Sequence, residues 1–330
     1  MMRQRLVSFA RGLRGRKPRP RILMYHRVAD LARDPWGLAV HPERFAEQLD
    51  VLVRQWTPLP LDDFVARLWA GTLPADAVAV TFDDGYVDNL HHARPALAAA
   101  GVPATLFLAS SMVGSPHGFW WDELAHLVLG REAPMATHIN LAGFVFDLRL
   151  GPCEPSDHDP AWRAWDAPRT ERERAYIAIW ERLKALAPET QARAMAAMRT
   201  ALGKTGASEA DRAMTEDEVR AITVGGLVKL GGHTARHPAL PTLSAAEQRG
   251  EIRSGKQAVE KLAAGGISGF AYPYGATCEQ SRIAVADCGF DWACTTDPDA
   301  PMHKSSDPFA LPRFAVADIG GRAFRVALAA

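Results

Sequence analysis

The sequence predicts an α/β fold in which mostly parallel strands form a closed or partly closed (β/α) barrel with a helical insertion. Short apolar runs recur along the 330 residues, and most of them precede a segment with helical spacing of apolar residues. Strands that alternate with helices form a largely parallel sheet. The seven or eight strand candidates favour closure of this sheet into a barrel over an open sheet.

Three strands and two helices are predicted before residue 110. The run Ala77–Phe82 is almost continuously apolar, as expected for a strand with both faces buried. Apolar residues at helical spacing predict a helix at about 45–56, and a second helix at 89–100 ends at Gly101, a typical C-terminal residue. The predicted strands are 22–25, 77–82 and 104–108.

The alternation of strands and helices is interrupted at about residues 114–214. In this segment Thr170 and Glu173 form a capping-box pattern before one helix, and a second helix is predicted at 191–202. We therefore expect a helical insertion here. The alternation then resumes with strands predicted at 227–230, 267–272, 291–295 and 311–314.

The charges of the chain balance overall but not along its length. Lys and Arg together number 38, as do Asp and Glu, and this balance argues against a nucleic-acid-binding protein. Residues 1–21 hold eight basic residues and no acidic one. We expect a basic tail at residues 1–20, followed by one domain at residues 21–325. The tail is either a solvated terminus or a segment that contacts an anionic membrane surface.

The sequence also carries signals about location. No apolar run reaches the roughly 18 residues that suggest a membrane-spanning helix. The N-terminus lacks the apolar core of a secretory signal, and the four cysteines contain no C-x-x-C pair. These features predict a cytoplasmic protein, with peripheral contact at the inner face of the membrane through residues 1–20.

Polar clusters follow several predicted strands, and a barrel would bring them to one mouth. Asp83 and Asp84 end one strand, and His233 and His237 follow another. Asp-Asp-Gly alone often forms a turn, and two such histidines alone often lie at a surface. Together they predict a divalent-metal site of two histidines and one carboxylate, with an open position for water. The second carboxylate could accept a proton from that water, which suits attack on an amide or ester.

Three motifs resemble those of the polysaccharide deacetylases, in the chitooligosaccharide-deacetylase-like group of carbohydrate esterase family 4. They are Thr-Phe-Asp-Asp-Gly-Tyr at 81–86, His-Thr-Ala-Arg-His at 233–237 and Phe-Ala-Tyr-Pro-Tyr-Gly at 270–275. The resemblance covers residues 22–110 and 215–315. It implies a distorted (β/α) barrel of the polysaccharide deacetylase type that removes N-acetyl groups from an N-acetylhexosamine.

The resemblance also implies roles for individual residues. Asp84, His233 and His237 would hold one divalent metal ion, usually Zn²⁺ in this family, with Co²⁺ or Ni²⁺ as alternatives. Asp83 would be the general base. The backbone N–H of Tyr274 would stabilise the negative oxygen of the tetrahedral intermediate, while its ring either lines the sugar site or packs beside the turn.

The sequence departs from the family pattern at two positions. Ala271 stands where the third motif often has an arginine, so no orienting ion pair with the base is expected. Arg313 stands where the fifth motif has the histidine that acts as general acid, and arginine cannot donate a proton near neutral pH. His26, at the end of the first strand, is predicted to replace that acid, as in a branch of the family with an N-terminal Tyr-His segment. First and last strands are neighbours in a closed barrel.

The expected substrate is an N-acetylated sugar, oligosaccharide or lipid-linked glycan. Trp120, Trp121 and Asp122 in the insertion either contact this sugar or pack at the start of a helix. Two alternatives remain open. The altered third and fifth motifs suit a non-catalytic carbohydrate-binding barrel, and the metal-site residues also suit hydrolysis of another amide or ester.

Overall fold

The computed structural model describes residues 19–130, 134–141, 143–151, 159, 161–203, 209–297 and 302–329. The strands are β1 (Arg21–Tyr25), β2 (Arg27–Val28), β3 (Ala39–Val40), β4 (Thr57–Pro58), β5 (Ala77–Asp84), β6 (Ala104–Leu108), β7 (Met135–Leu141), β8 (Phe144–Leu150), β9 (Val228–Gly232), β10 (Gly269–Ala271), β11 (Trp292–Cys294) and β12 (Phe314–Ala315). The helices are α1 (Pro42–Gln55), α2 (Leu61–Ala70), α3 (Arg94–Ala100), α4 (Trp120–Val128), α5 (Glu171–Lys184), α6 (Pro188–Leu202), α7 (Glu216–Thr223), α8 (Ala245–Ala263), α9 (Glu279–Asp287) and α10 (Gly321–Leu328).

Seven parallel strands form the barrel, in the order β11-β10-β9-β6-β5-β1-β12, and β4 pairs with the start of β5. Leu311, just before β12, forms a parallel bridge with Cys294 in β11. The segment from Leu311 to Ala315 therefore joins the two edges of the sheet. Among the described strands, only this short segment closes the ring. The barrel is therefore distorted, as the sequence predicted.

The two sides of β5 face different parts of the core. All eight of its residues are buried. Ala77 and Ala79 belong to a cluster whose members come from strands around the ring and from α2, so this side faces the barrel interior. Val78 and Val80 belong to the larger cluster that includes the surrounding helices. Asp83 continues the inward side to the carboxyl end of the strand. Asp84 departs from extended geometry, with φ of 74°.

The described residues of the insertion form three α-helices and a β-hairpin, and the sequence did not predict the hairpin. Helices α4, α5 and α6 pack with β7 and β8 around a hydrophobic core of their own. The two strands form an antiparallel hairpin in which Met135 pairs with Leu150. Thr170 caps α5 in a complete capping box with Glu173, as predicted.

The predicted membrane contact of the basic tail lies almost entirely outside the described residues. Residues 1–18 of the predicted basic tail are not among them. In the described part of the chain, no helix is both long and apolar enough to cross a membrane.

Candidate active site

The predicted site residues meet at the carboxyl ends of the barrel strands. Asp83 and Asp84 end β5, His233 follows β9, and Tyr274 lies in a turn after β10. His26 follows β1, which pairs with β12 as expected for first and last strands. Residues far apart in the chain are therefore close together at one mouth.

Asp84, His233 and His237 could hold a metal ion. One ligand atom from each of them lies within 4.8 Å of the others. The Nε2 atom of His237 lies 3.3 Å from Asp84 Oδ1, and that of His233 lies 3.6 Å from the same oxygen. All three residues are buried.

The bonding around these residues fits a cation. Asp84 Oδ1 is buried and has no hydrogen-bond partner in the described part of the chain. His233 Nδ1 lies 2.7 Å from the carbonyl of Ala271, and since a carbonyl only accepts, Nδ1 donates and Nε2 keeps its lone pair. Burial, and then the neighbouring Asp83, raise the pKa of Asp84 well above its usual value. A cation would offset the cost of this buried carboxylate.

Asp83 is held by an ion pair with Arg313. The guanidinium of Arg313 donates to both carboxylate oxygens, at 2.6 and 2.7 Å. Arg313 also donates to the hydroxyl of Thr81 and the carbonyl of Thr295, and it is 1% exposed. Burial alone would raise the pKa of Asp83, but Arg313 and His233 lower it to about 2. Asp83 is thus ionised at neutral pH.

The expectation that no ion pair orients the base is therefore wrong. It rested on Ala271, which replaces an arginine on β10. In this structure the arginine comes from the other side, since Arg313 lies between β11 and β12 and reaches Asp83 across the ring. Arg313 thus gives Asp83 the guanidinium partner that Ala271 cannot provide.

His26 lies beside the same carboxylate. Its Nε2 is 3.9 Å from Asp83 Oδ2, and its side chain is 21% exposed. Its backbone carbonyl accepts a hydrogen bond from Asn89, which fixes the end of β1. Burial lowers the pKa of His26 to about 4, although the charge of Asp83 opposes this shift.

Backbone strain is concentrated around the site. Asp84, Thr234, His237 and Tyr274 have φ of 74°, 65°, 59° and 58°, in the left-handed region that L residues rarely adopt. Each such residue costs of order 1–3 kcal/mol, so the surrounding packing must enforce it. The sequence gives no direct signal for these angles.

Close contacts hold the histidine loop in this conformation. The hydroxyl of Thr234 accepts a hydrogen bond from the backbone N–H of His237, at 3.0 Å. Glu251 on α8 accepts from the backbone N–H and the guanidinium of Arg236. A Cβ atom at Gly255 would lie 2.5 Å from the backbone of Thr234, so only glycine allows α8 to approach this closely.

The insertion forms one wall of the site, a contribution that the sequence did not define. The ring of Trp121 lies 4.9 Å from that of His237, and its indole N–H donates to the hydroxyl of Tyr86. Tyr86 in turn donates to Asp122. The Tyr274 ring packs 4.5 Å from the His237 ring. These residues link the barrel motifs directly to α4.

The sequence matches a known family over two segments. The polysaccharide deacetylase model matches residues 70–139 and 178–293, which contain five of the six predicted site residues. His26 and Arg313 lie outside the matched segments. The curated Bacillus subtilis (strain 168) protein YxkH, whose name places it in the same family, is 32% identical over 69 residues. That match spans 20% of this chain and a quarter (25%) of the relative.

Solved structures share the fold at low sequence identity. The Streptococcus pyogenes deacetylase PplD in complex with acetate has a TM-score of 0.58 and 16% identity, over 93% of this chain and 96% of that one. IcaB from Ammonifex degensii has a TM-score of 0.59 and 17% identity, over 96% and 99%. A de-N-acetylase from Aggregatibacter actinomycetemcomitans has a TM-score of 0.57 and 15% identity, over 94% and 99%.

These similarities agree with the barrel and with the position of the three motifs. The segments matched by the family model make up more than half of the chain. The chain therefore belongs to the polysaccharide deacetylase family.

Proposed function

We propose that this protein is a metal-dependent hydrolase that removes the N-acetyl group from an N-acetylhexosamine unit of a glycan or glycan precursor. Family and fold support carbohydrate deacetylation. The observation that carries the finer proposal is an ionised Asp83, fixed by Arg313, directly beside a buried Asp-His-His cluster.

In this proposal Asp84, His233 and His237 hold one divalent metal ion, Zn²⁺ by preference, with Co²⁺ or Ni²⁺ as alternatives. The bound ion would lower the pKa of a water molecule and polarise the amide carbonyl. The protein itself keeps both imidazoles in the neutral form that ligation requires. Burial lowers the pKa of His233 and His237, and the carbonyl of Ala271 orients the first ring.

Asp83 is the proposed general base. It accepts a proton from the attacking water, whose oxygen forms the new bond to the acetyl carbon. The two hydrogen bonds from Arg313 fix both carboxylate oxygens, so the base cannot rotate away from the reacting water. The backbone N–H of Tyr274, in its turn after β10, is proposed to bind the developing oxyanion.

His26 is the proposed general acid. As the bond between the acetyl carbon and nitrogen breaks, the imidazole donates a proton to the amine of the leaving sugar. Its partial exposure gives substrate access. Burial keeps the resting ring neutral, with a pKa of about 4, so the proton that it donates is the one that Asp83, 3.9 Å away, has taken from the water and passes on to it. Acetate and the free amino sugar are then the products.

The substrate is proposed to be an N-acetylated sugar, an oligosaccharide or a lipid-linked glycan. Two proteins of similar fold are a deacetylase in complex with acetate and a de-N-acetylase. A non-catalytic barrel was an alternative because two motifs are altered. The pairing of Arg313 with Asp83 gives the proposed base an orienting partner despite Ala271, which favours the catalytic alternative.

Acetate release from a panel of N-acetylhexosamines, with added Zn²⁺, Co²⁺ or Ni²⁺ and a chelated control, tests the proposal. We expect release only with metal. Asp83→Asn should keep the metal and lose most activity, whereas His237→Ala should lose both. Wild-type turnover by Asp83→Asn would disprove the base assignment. Absence of acetate release from every sugar, with metal bound, would count against deacetylation.

A further inference from the structure

Lys184 lies at the candidate site although it belongs to the insertion. It is the last residue of α5, and its ammonium lies 4.6 Å from the centre of the Tyr274 ring. It lies 4.9 Å from the ring of Trp180, one turn earlier on the same helix. Since the Tyr274 ring contacts His237, a single aromatic ring separates this cation from a proposed metal ligand.

The positive charge of the Lys184 ammonium is stabilised in this position, but its N–H donors remain available. The aromatic faces and the carboxyl end of α5 both stabilise a positive charge. Neither takes up the three N–H donors of the ammonium. Lys184 is partly buried, and burial lowers its pKa although Glu181 opposes the shift. Within the described ranges, Lys184 makes no hydrogen bond and no ion pair.

Another lysine shows what a purely structural arrangement looks like in this chain. Lys256 lies 4.9 Å from the ring of Phe290, a placement much like that of Lys184. Its ammonium, however, donates to the carbonyl of Gly289 and pairs with Glu260. Its charge is thus compensated by direct contacts within the protein, whereas Glu181 acts on Lys184 only at longer range.

The wall around Lys184 is aromatic and tightly packed. The indole N–H of Trp180 is buried and has no hydrogen-bond partner in the described part of the chain. The Trp180 ring packs against the rings of Trp36 and Trp120, at 4.1 and 5.9 Å, which makes the wall rigid. A rigid aromatic wall beside the N–H donors of the Lys184 ammonium suits a polar ligand that carries negative charge.

We propose that the substrate carries an anionic group, a phosphate or a carboxylate, next to the acetylated sugar, and that Lys184 binds this group. The inference rests on the proposed function and deepens it by naming the substrate class. The insertion then has a defined part in the reaction: it selects charged glycans, while the barrel supplies the chemistry.

Three substrates test this proposal with the zinc-loaded full chain. They are a neutral N-acetylglucosamine trisaccharide, the same trisaccharide with a phosphate at its reducing end, and one with a neighbouring uronic acid. We expect kcat/KM to be higher for at least one anionic trisaccharide, and the better one identifies the group. Lys184→Met should reduce this preference about tenfold, the effect of one charge-assisted hydrogen bond. Lys184→Arg and the control Lys256→Met should retain it.

The outcomes separate this inference from the proposed function. A wild-type preference for the neutral sugar, or an unchanged preference in Lys184→Met with normal zinc content, would overturn the role of Lys184. If wild-type protein releases acetate from none of the three, deacetylation is wrong. Calorimetric binding of the phosphorylated trisaccharide then decides the role of Lys184. Binding weakened about tenfold in Lys184→Met supports it, and equal binding rejects it.

Discussion

At the scale of single residues, Arg313 determines the state of the proposed base. Its planar guanidinium binds both oxygens of Asp83, and both side chains are almost completely buried. The sequence alone indicated the loss of a histidine at position 313. It could not show the gain of a partner for Asp83, because the two residues are 230 positions apart and meet only when β12 docks beside β1.

Arg313→Lys tests this pairing. Lysine keeps the charge but cannot bind both oxygens in a fixed fork, so Asp83 loses its fixed orientation. We expect kcat to fall about 10- to 100-fold with zinc content unchanged, because misplacement of a catalytic group reduces the reaction rate by about this factor. The matched control is Arg212→Lys, which removes a similar two-pronged contact with Glu218 outside the site. Equal kcat for Arg313→Lys and wild type would contradict the positioning role.

His26→Ala tests the proposed acid. Loss of a general acid typically reduces turnover by about 10²- to 10⁴-fold. We expect a reduction of kcat in this range while the metal stays bound, because His26 is not among the residues of the Asp-His-His cluster. Steady-state kinetics combined with metal analysis would measure both. Unchanged turnover would direct the search for the acid to another group at the mouth.

At the scale of elements, the sequence predicted the barrel better than the insertion. Near-continuous apolar runs located the barrel strands, because burial on both faces leaves a strong signal, and helical spacing of apolar residues located the first barrel helix. The hairpin of β7 and β8 was missed. Its signal is the alternation of Ile139 with Leu141 and of Leu148 with Leu150, which bury only one face. That weak pattern lies between helices, where no strand was expected.

Helix α8 is expected to control metal affinity through Glu251. This buried carboxylate holds the backbone N–H and the guanidinium of Arg236, in the loop that carries both proposed histidine ligands. We expect Glu251→Gln to weaken zinc binding about 10- to 100-fold, the usual effect of losing a group that orients metal ligands. Competition with a chelating dye would measure the affinity.

Glu189 provides the matched control for this experiment. It also pairs with Arg236, but it is exposed and belongs to α6. Exposed ion pairs contribute at most about 1 kcal/mol, so Glu189→Gln should change zinc affinity little. An equal loss of zinc affinity in the two variants would show that the charge of Arg236, and not the position of the loop, determines zinc affinity.

At the scale of the whole molecule, the proposed metal ligands come from β5 and from the loop after β9, which are not adjacent in the sheet. An ion that joins them should stabilise the folded state, because the unfolded chain does not present this site. With zinc at 100 times its Kd, the expected gain is about 2.7 kcal/mol. Thermal unfolding with zinc and with chelator should therefore give a higher Tm with zinc. His237→Ala should show no such difference, and an equal shift in that variant would place the ion elsewhere.

The closure of the barrel has a consequence for how the protein is made. The segment that completes the ring also carries Arg313, whereas Asp83 is synthesised early. During translation, a chain that ends within the insertion therefore lacks the arginine that pairs with Asp83, and burial of this carboxylate would be costly. We infer that the barrel interior stays open to proteases on the ribosome until the closing segment emerges, so ribosome-bound intermediates should be cleaved near β5 and the finished protein spared.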